Sequence, residues 1–135
     1  MSNNSTTYTA QASGKMSVSA GILNADIKVA SGDYEASALA SGEIINLCEL
    51  PEFAVIHDVI VDTAALGAST TLAIGDGADD DRYIAASSTA SATTLRAGIG
   101  GKGYRIGTAE NDNILTAKVG GAAATGKIHF TVLYA

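Results

Sequence analysis

The sequence has no tryptophan, a single proline and a single cysteine, and aromatic residues make up only 5% of its 135 positions. Large core anchors are therefore few, and Tyr8, Tyr34, Phe53, Tyr83, Tyr104, Phe130 and Tyr134 share that role with aliphatic side chains. The lone Cys48 excludes an intramolecular disulfide framework and any multi-thiolate metal site within one chain, which fits a reducing compartment. Basic residues are also scarce, eight against fourteen acidic ones, for a formal charge of −6. They are scattered singly, and phosphate neutralisation needs them clustered, so neither nucleic acid nor an anionic membrane is an expected partner. No apolar run reaches the roughly 18 residues of a membrane-spanning helix. The opening MSNNSTTYTAQASGK lacks the basic and apolar regions of a secretory signal, and synthesis in a cytoplasm is the expectation.

A sustained helical period is missing too: nowhere does an apolar spacing of 3.6 persist for three turns. What is present is a succession of short β-favouring runs. Val55 to Val61 is mostly β-branched, Thr70 to Ile74 repeats the pattern, and Gly75-Asp76-Gly77 stops it with residues that tolerate positive φ. Tyr83-Ile84 begins another run. Glu43 to Leu50 places apolar residues on both faces and is expected to be covered on both sides, until Pro51 ends it. Ile114 to Val119 and Lys127 to Tyr134, joined by GGAAATG, read as a hairpin. In the last run Ile128, Phe130, Val132 and Tyr134 alternate with Lys127, His129 and Thr131, one face core and the other wetter. Roughly eight short strands at this spacing mark an all-β protein, here an antiparallel β-sandwich of jelly-roll-like form. Residues 1–40, polar at first and then with short apolar pieces, such as Ile27 and Val29, set between turns at Asn24-Ala25-Asp26 and Ser31-Gly32-Asp33, read as an extended N-terminal arm, with a floppy tail or an ordinary first hairpin as the equal alternative. Residues 41–135 form the sandwich domain, and a core this modest favours oligomerisation.

The candidate chemistry is thin. Asp76, Asp79 and Asp81, with Asp80 between them, lie in one turn and supply oxygen ligands of the kind Ca²⁺ takes. The EF-hand pattern fails, since Asp81 stands at its sixth position in place of glycine and Ser87 at its twelfth in place of glutamate. The competing reading is a solvated turn whose carboxylates bond nearby amides and Arg82. The run Gly98-Ile99-Gly100-Gly101-Lys102-Gly103 fails the phosphate-loop pattern, because Arg96 and Gly103 occupy the places of the first glycine and the Mg²⁺-binding hydroxyl. It reads as a flexible loop. Cys48, His57 and His129 are the residues that could seed a nucleophile and base, but Cys48 lies in an apolar strand with no electropositive setting. Glu49 and Glu52 flank Pro51 without the aromatic-lined cleft of glycosidase chemistry. No catalytic residue and no obligate cofactor is expected.

The stretch TTLAIGDGADDDRYI (Thr70 to Ile84), with Asp81-Arg82-Tyr83 after the Gly-Asp-Gly turn and KIHFTVLYA closing the chain, resembles the capsid decoration, or cement, proteins of tailed phages. The resemblance covers roughly residues 43 to 135. It implies a non-enzymatic virion protein, made in the host cytoplasm, that binds the outside of the capsid and clamps adjacent capsomers. Its partners would be the major capsid protein and other copies of itself, often as a homotrimer. No single residue is diagnostic, and the alternative is a glycan- or calcium-binding β module of a tail fibre, head-tail or cell-surface structure.

Overall fold

The computed structural model describes residues 27–135. Most of the expected arm, residues 1–26, lies outside the described residues. Eight strands follow: β1 (Lys28–Leu39), β2 (Ile44–Glu49), β3 (Ile56–Thr63), β4 (Thr71–Asp76), β5 (Ile84–Ser88), β6 (Thr93–Arg96), β7 (Ile114–Gly120) and β8 (Ala124–Tyr134). They form two four-stranded antiparallel sheets, ordered β1-β8-β3-β6 and β2-β7-β4-β5. Every link except β4–β5 crosses from one sheet to the other, which is the double Greek-key winding of a jelly roll. The expected β-sandwich is therefore present, with its strand order now defined.

The alternation read in the last run is what centres the first sheet. Ile128, Phe130 and Val132 of β8 are buried, and their antiparallel partners Val59 and Val61 of β3 are buried with them. Across the sandwich Leu72, Ile74, Leu115 and Val119 meet this layer in one contiguous core. Each such side chain contributes about 1.5–3 kcal/mol on burial.

Three expectations change here. Residues 28–39, read as part of an arm ending at residue 40, are strand β1, paired along β8 from Lys28↔Tyr134 to Leu39↔Ala124. The segment is poor in bulk because its partner supplies the bulk: Gly32 faces Phe130, and a Cβ at Gly32 would stand 3.0 Å from the Phe130 ring. The expected β7–β8 hairpin is instead a crossover, β7 pairing with β2 and β4, and β8 with β1 and β3. A strand with one buried face satisfies it equally well in either sheet, so alternation could not choose between them. Strand β2 is covered on one side only, with Ile45 buried and Ile44 exposed, because it is an edge strand and a bulge between Asn46 and Cys48 shifts its register.

Candidate functional site

Antiparallel winding sorts the loops by end. At one end lie the β2–β3 link (50–55), the β4–β5 turn (77–83), the β6–β7 loop (97–113), the start of β1 and the end of β8. At the other lie four links, 40–43, 64–70, 89–92 and 121–123, made mostly of Ala, Ser, Gly and Thr. Of the exposed large apolar residues among the described ones, Ile27, Val29, Ile44, Phe53 and Ile99, all but Ile44 sit toward the first end. Exposed apolar side chains gathered in one region mark interaction surfaces more than scattered ones do.

A chain of polar contacts ties the loops of this end together. Asp76 is only 3% exposed. Its Oδ1 accepts the amides of Ala78 (2.9 Å) and Asp79 (2.8 Å), and its Oδ2 accepts from Arg82 Nε at 2.5 Å. The Arg82 guanidinium lies 4.0 Å from the centroid of the Tyr104 ring. The Tyr104 hydroxyl donates to Asp112 at 2.6 Å, and Asp112 also accepts the amides of Gly107, Thr108 and Ala109 at 3.0–3.1 Å. Burial pushes the Asp112 carboxyl up, but the tyrosine hydroxyl and the amides outweigh it and hold the group below the usual carboxylate range. Burial raises the Tyr104 hydroxyl, with its bond to Asp112 adding to the effect.

Of the expected Asp76, Asp79 and Asp81, the turn brings Asp79 and Asp81 together, with Asp80 between them. The carboxylate oxygens of Asp79, Asp80 and Asp81 lie within 4.8 Å of one another. Asp76 is engaged instead by the turn amides and Arg82, and Asp80 is paired with Lys118 Nζ at 3.0 Å. Asp79 is held low and Asp81 high, chiefly by the hydrogen bond between the two side chains. Gly75 is required where the turn folds back, since a Cβ there would stand 2.1 Å from the Asp79 carbonyl oxygen. The carboxylates of Asp79 and Asp81 are exposed to water.

The nucleophile and base candidates stay apart in the architecture: Cys48 is on β2 in one sheet, while His57 and His129 are on β3 and β8 in the other. Burial pushes the Cys48 thiol up to about 11, the reverse of activation. His57 sits in the β3 bulge, and His129 Nδ1 lies 2.6 Å from Asp33 Oδ1 on the outer face of the first sheet.

Two features of this end escaped the sequence reading. Phe53, expected to be a core anchor, is instead 62% exposed with φ 65°, a conformation that costs a bulky residue about 1–3 kcal/mol. Its amide donates to Ile106 O at 2.9 Å, and Arg105 lies 5.6 Å from its ring centroid. Beside it opens a cleft of about 300 Å³, walled by Pro51, Phe53 and Tyr134 with Lys28 and Glu52 at its rim. The second feature is Ile99, 96% exposed in the glycine-rich loop. Its isolation between Gly98 and Gly100 was the available signal.

No protein-family model matches the sequence, and no curated protein matches it. Among solved structures, a chain of the "Cyanophage Pam1 capsid asymmetric unit" shares the fold with a TM-score of 0.71, at 23% identity over 81% of this chain and 84% of that one. A chain of the capsid of Ralstonia phage GP4 gives 0.60, at 22% identity over 81% and 83%. A chain of the "Acidic stable capsid structure of Helicobacter pylori bacteriophage KHP30" gives 0.59, at 18% identity over 80% and 86%. At these identities the likeness is one of fold.

Proposed function

We propose that this chain is a structural virion protein that binds the outside of a tailed-phage capsid and cements adjacent capsomers. The observation that carries the reading is the jelly roll itself, shared over about four fifths of the chain with chains of phage capsids. The loop end supports it, with exposed apolar side chains held on a bonded scaffold instead of a nucleophile and its base. In this reading the major capsid protein is the partner, the protein acts as a homo-oligomer, a trimer, and it performs no catalysis. Many identical weak contacts then act together across the lattice.

The test is the copy number of the protein, relative to the major shell protein, in purified particles from its source. A simple fraction of the shell copy number is expected. A few copies per particle would place it at a fibre or vertex. Absence from particles, together with a calcium-dependent rise in melting temperature that Asp79→Ala/Asp81→Ala abolishes, would replace the cementing role with that of a calcium-binding β module.

A further inference from the structure

We propose that copies of this chain associate head to tail, with Ile99 of one copy seated in the Phe53 cleft of the next and Lys102 facing Glu52. The inference deepens the self-association included in the proposed function and rests on that reading.

Ile99 is presented as a knob. Neither flanking glycine, Gly98 or Gly100, has an atom within 4 Å of where its Cβ would be, so the isoleucine stands clear of its neighbours. The loop beneath it is fixed. Gly98 N donates to Tyr83 O at 3.0 Å, Gly103 N donates to Ile56 O at 2.7 Å, and a Cβ on Gly101 would stand 2.7 Å from Tyr83 Cα. A pre-ordered loop loses little freedom on docking. Nothing in the core uses Ile99, whose side chain is almost wholly in water.

The Phe53 cleft offers the complement: an apolar opening of about 300 Å³ with Pro51 and Tyr134 for walls, large enough for an aliphatic side chain. The charges match as well. Lys102 and Glu52 are both exposed, one beside the knob and one on the cleft's rim. In a chain of net charge −6, which repels its own copies, such a pair fixes the register of contact. Knob and cleft lie on different loops of the same end, 97–113 and 50–55. A contact between two different patches closes into a ring when repeated about a rotation axis, as a trimer requires.

The full chain is measured by analytical ultracentrifugation, with circular dichroism as the check on folding. The wild type is expected to sediment as an oligomer. Ile99→Asp should raise the dissociation constant at least about tenfold with an unchanged spectrum. Lys102→Glu and Glu52→Lys should each weaken association, and Lys102→Glu/Glu52→Lys together should restore it. A monomeric wild type, an Ile99→Asp variant of unchanged mass, or a double swap that fails to restore association would each overturn the proposal. Particle binding is read separately, as copy number on purified particles. Loss of particle binding with the oligomer intact would overturn the cementing role alone.

Discussion

Asp112 holds the long β6–β7 loop by accepting the amides of Gly107, Thr108 and Ala109 and the hydroxyl of Tyr104. Asp112→Ala leaves those donors without their acceptor, and a loss of about 2 kcal/mol or more is expected from urea unfolding at neutral pH. The sign of the pH dependence follows from the lowered carboxyl. Its stabilisation is present above the unfolded value of about 3.9 and is lost as pH falls through the lower folded value. The variant's disadvantage should therefore shrink below about pH 4, and a constant gap down to pH 2 would remove Asp112 from the acid response. Phe53 makes a second comparison. Phe53→Ala keeps a side chain in the left-handed region, whereas Phe53→Gly relieves about 1–2 kcal/mol of backbone strain, offset by roughly 0.5–1 kcal/mol of glycine's chain entropy. The glycine variant should melt above the alanine variant, and the reverse order would show that the backbone there is unstrained. The sequence made the acidic turn visible but not which aspartate does what. The burial of Asp76 depends on Arg82 being drawn over Tyr104, a contact between loops 22 residues apart that no local pattern contains.

Strand β1 decides where the chain can be cut. Its inner residues Ala30, Gly32, Tyr34 and Ala36 cover β8, whose Ile128, Phe130 and Val132 would otherwise form an open, apolar sheet edge. Deleting 1–26 should leave the urea midpoint unchanged, while deleting 1–40 should abolish cooperative unfolding or bring aggregation. Equal midpoints for the two truncations would mean that β1 contributes little to the fold. The strands were legible where β-branched residues run together, as in β3, or alternate with polar ones, as in β8. The strand β1 was only half legible, because a strand laid against a large aromatic ring is built from small residues and so reads equally as an arm, a tail or a first hairpin. The β7–β8 crossover was hidden for a related reason. The residues Gly121 to Ala123 suit a tight turn within one sheet and a step between two sheets equally well, and only the burial of β8 between β1 and β3 separates the cases.

At the scale of the whole molecule the two ends of the sandwich differ among the described residues: small residues make the turns at one end, while large side chains and long loops occupy the other. Folding does not require this asymmetry, because Ile99 and Phe53 leave most of their surface in water and add little to the core. A binding surface confined to the loop end explains it, and that explanation can be tested by lengthening either end. Flexible insertions are inexpensive, each doubling of loop length costing about 0.6 kcal/mol, so a short Gly/Ser insertion beside Ser91 in the β5–β6 link should leave both stability and copy number on particles unchanged. The same insertion beside Gly100 opens the turn that Gly101 N and Lys102 N close on Gly98 O, while the bonds from Gly98 N to Tyr83 O and from Gly103 N to Ile56 O lie outside it. It should change the melting temperature little yet reduce the copy number, because it displaces the knob that joins the copies. If both insertions are tolerated on particles, binding belongs to the outer faces of the sheets, where Asp33, Lys127 and His129 form an exposed polar row. If the Ser91 insertion alone is excluded, the orientation is reversed and the small-residue end faces the lattice.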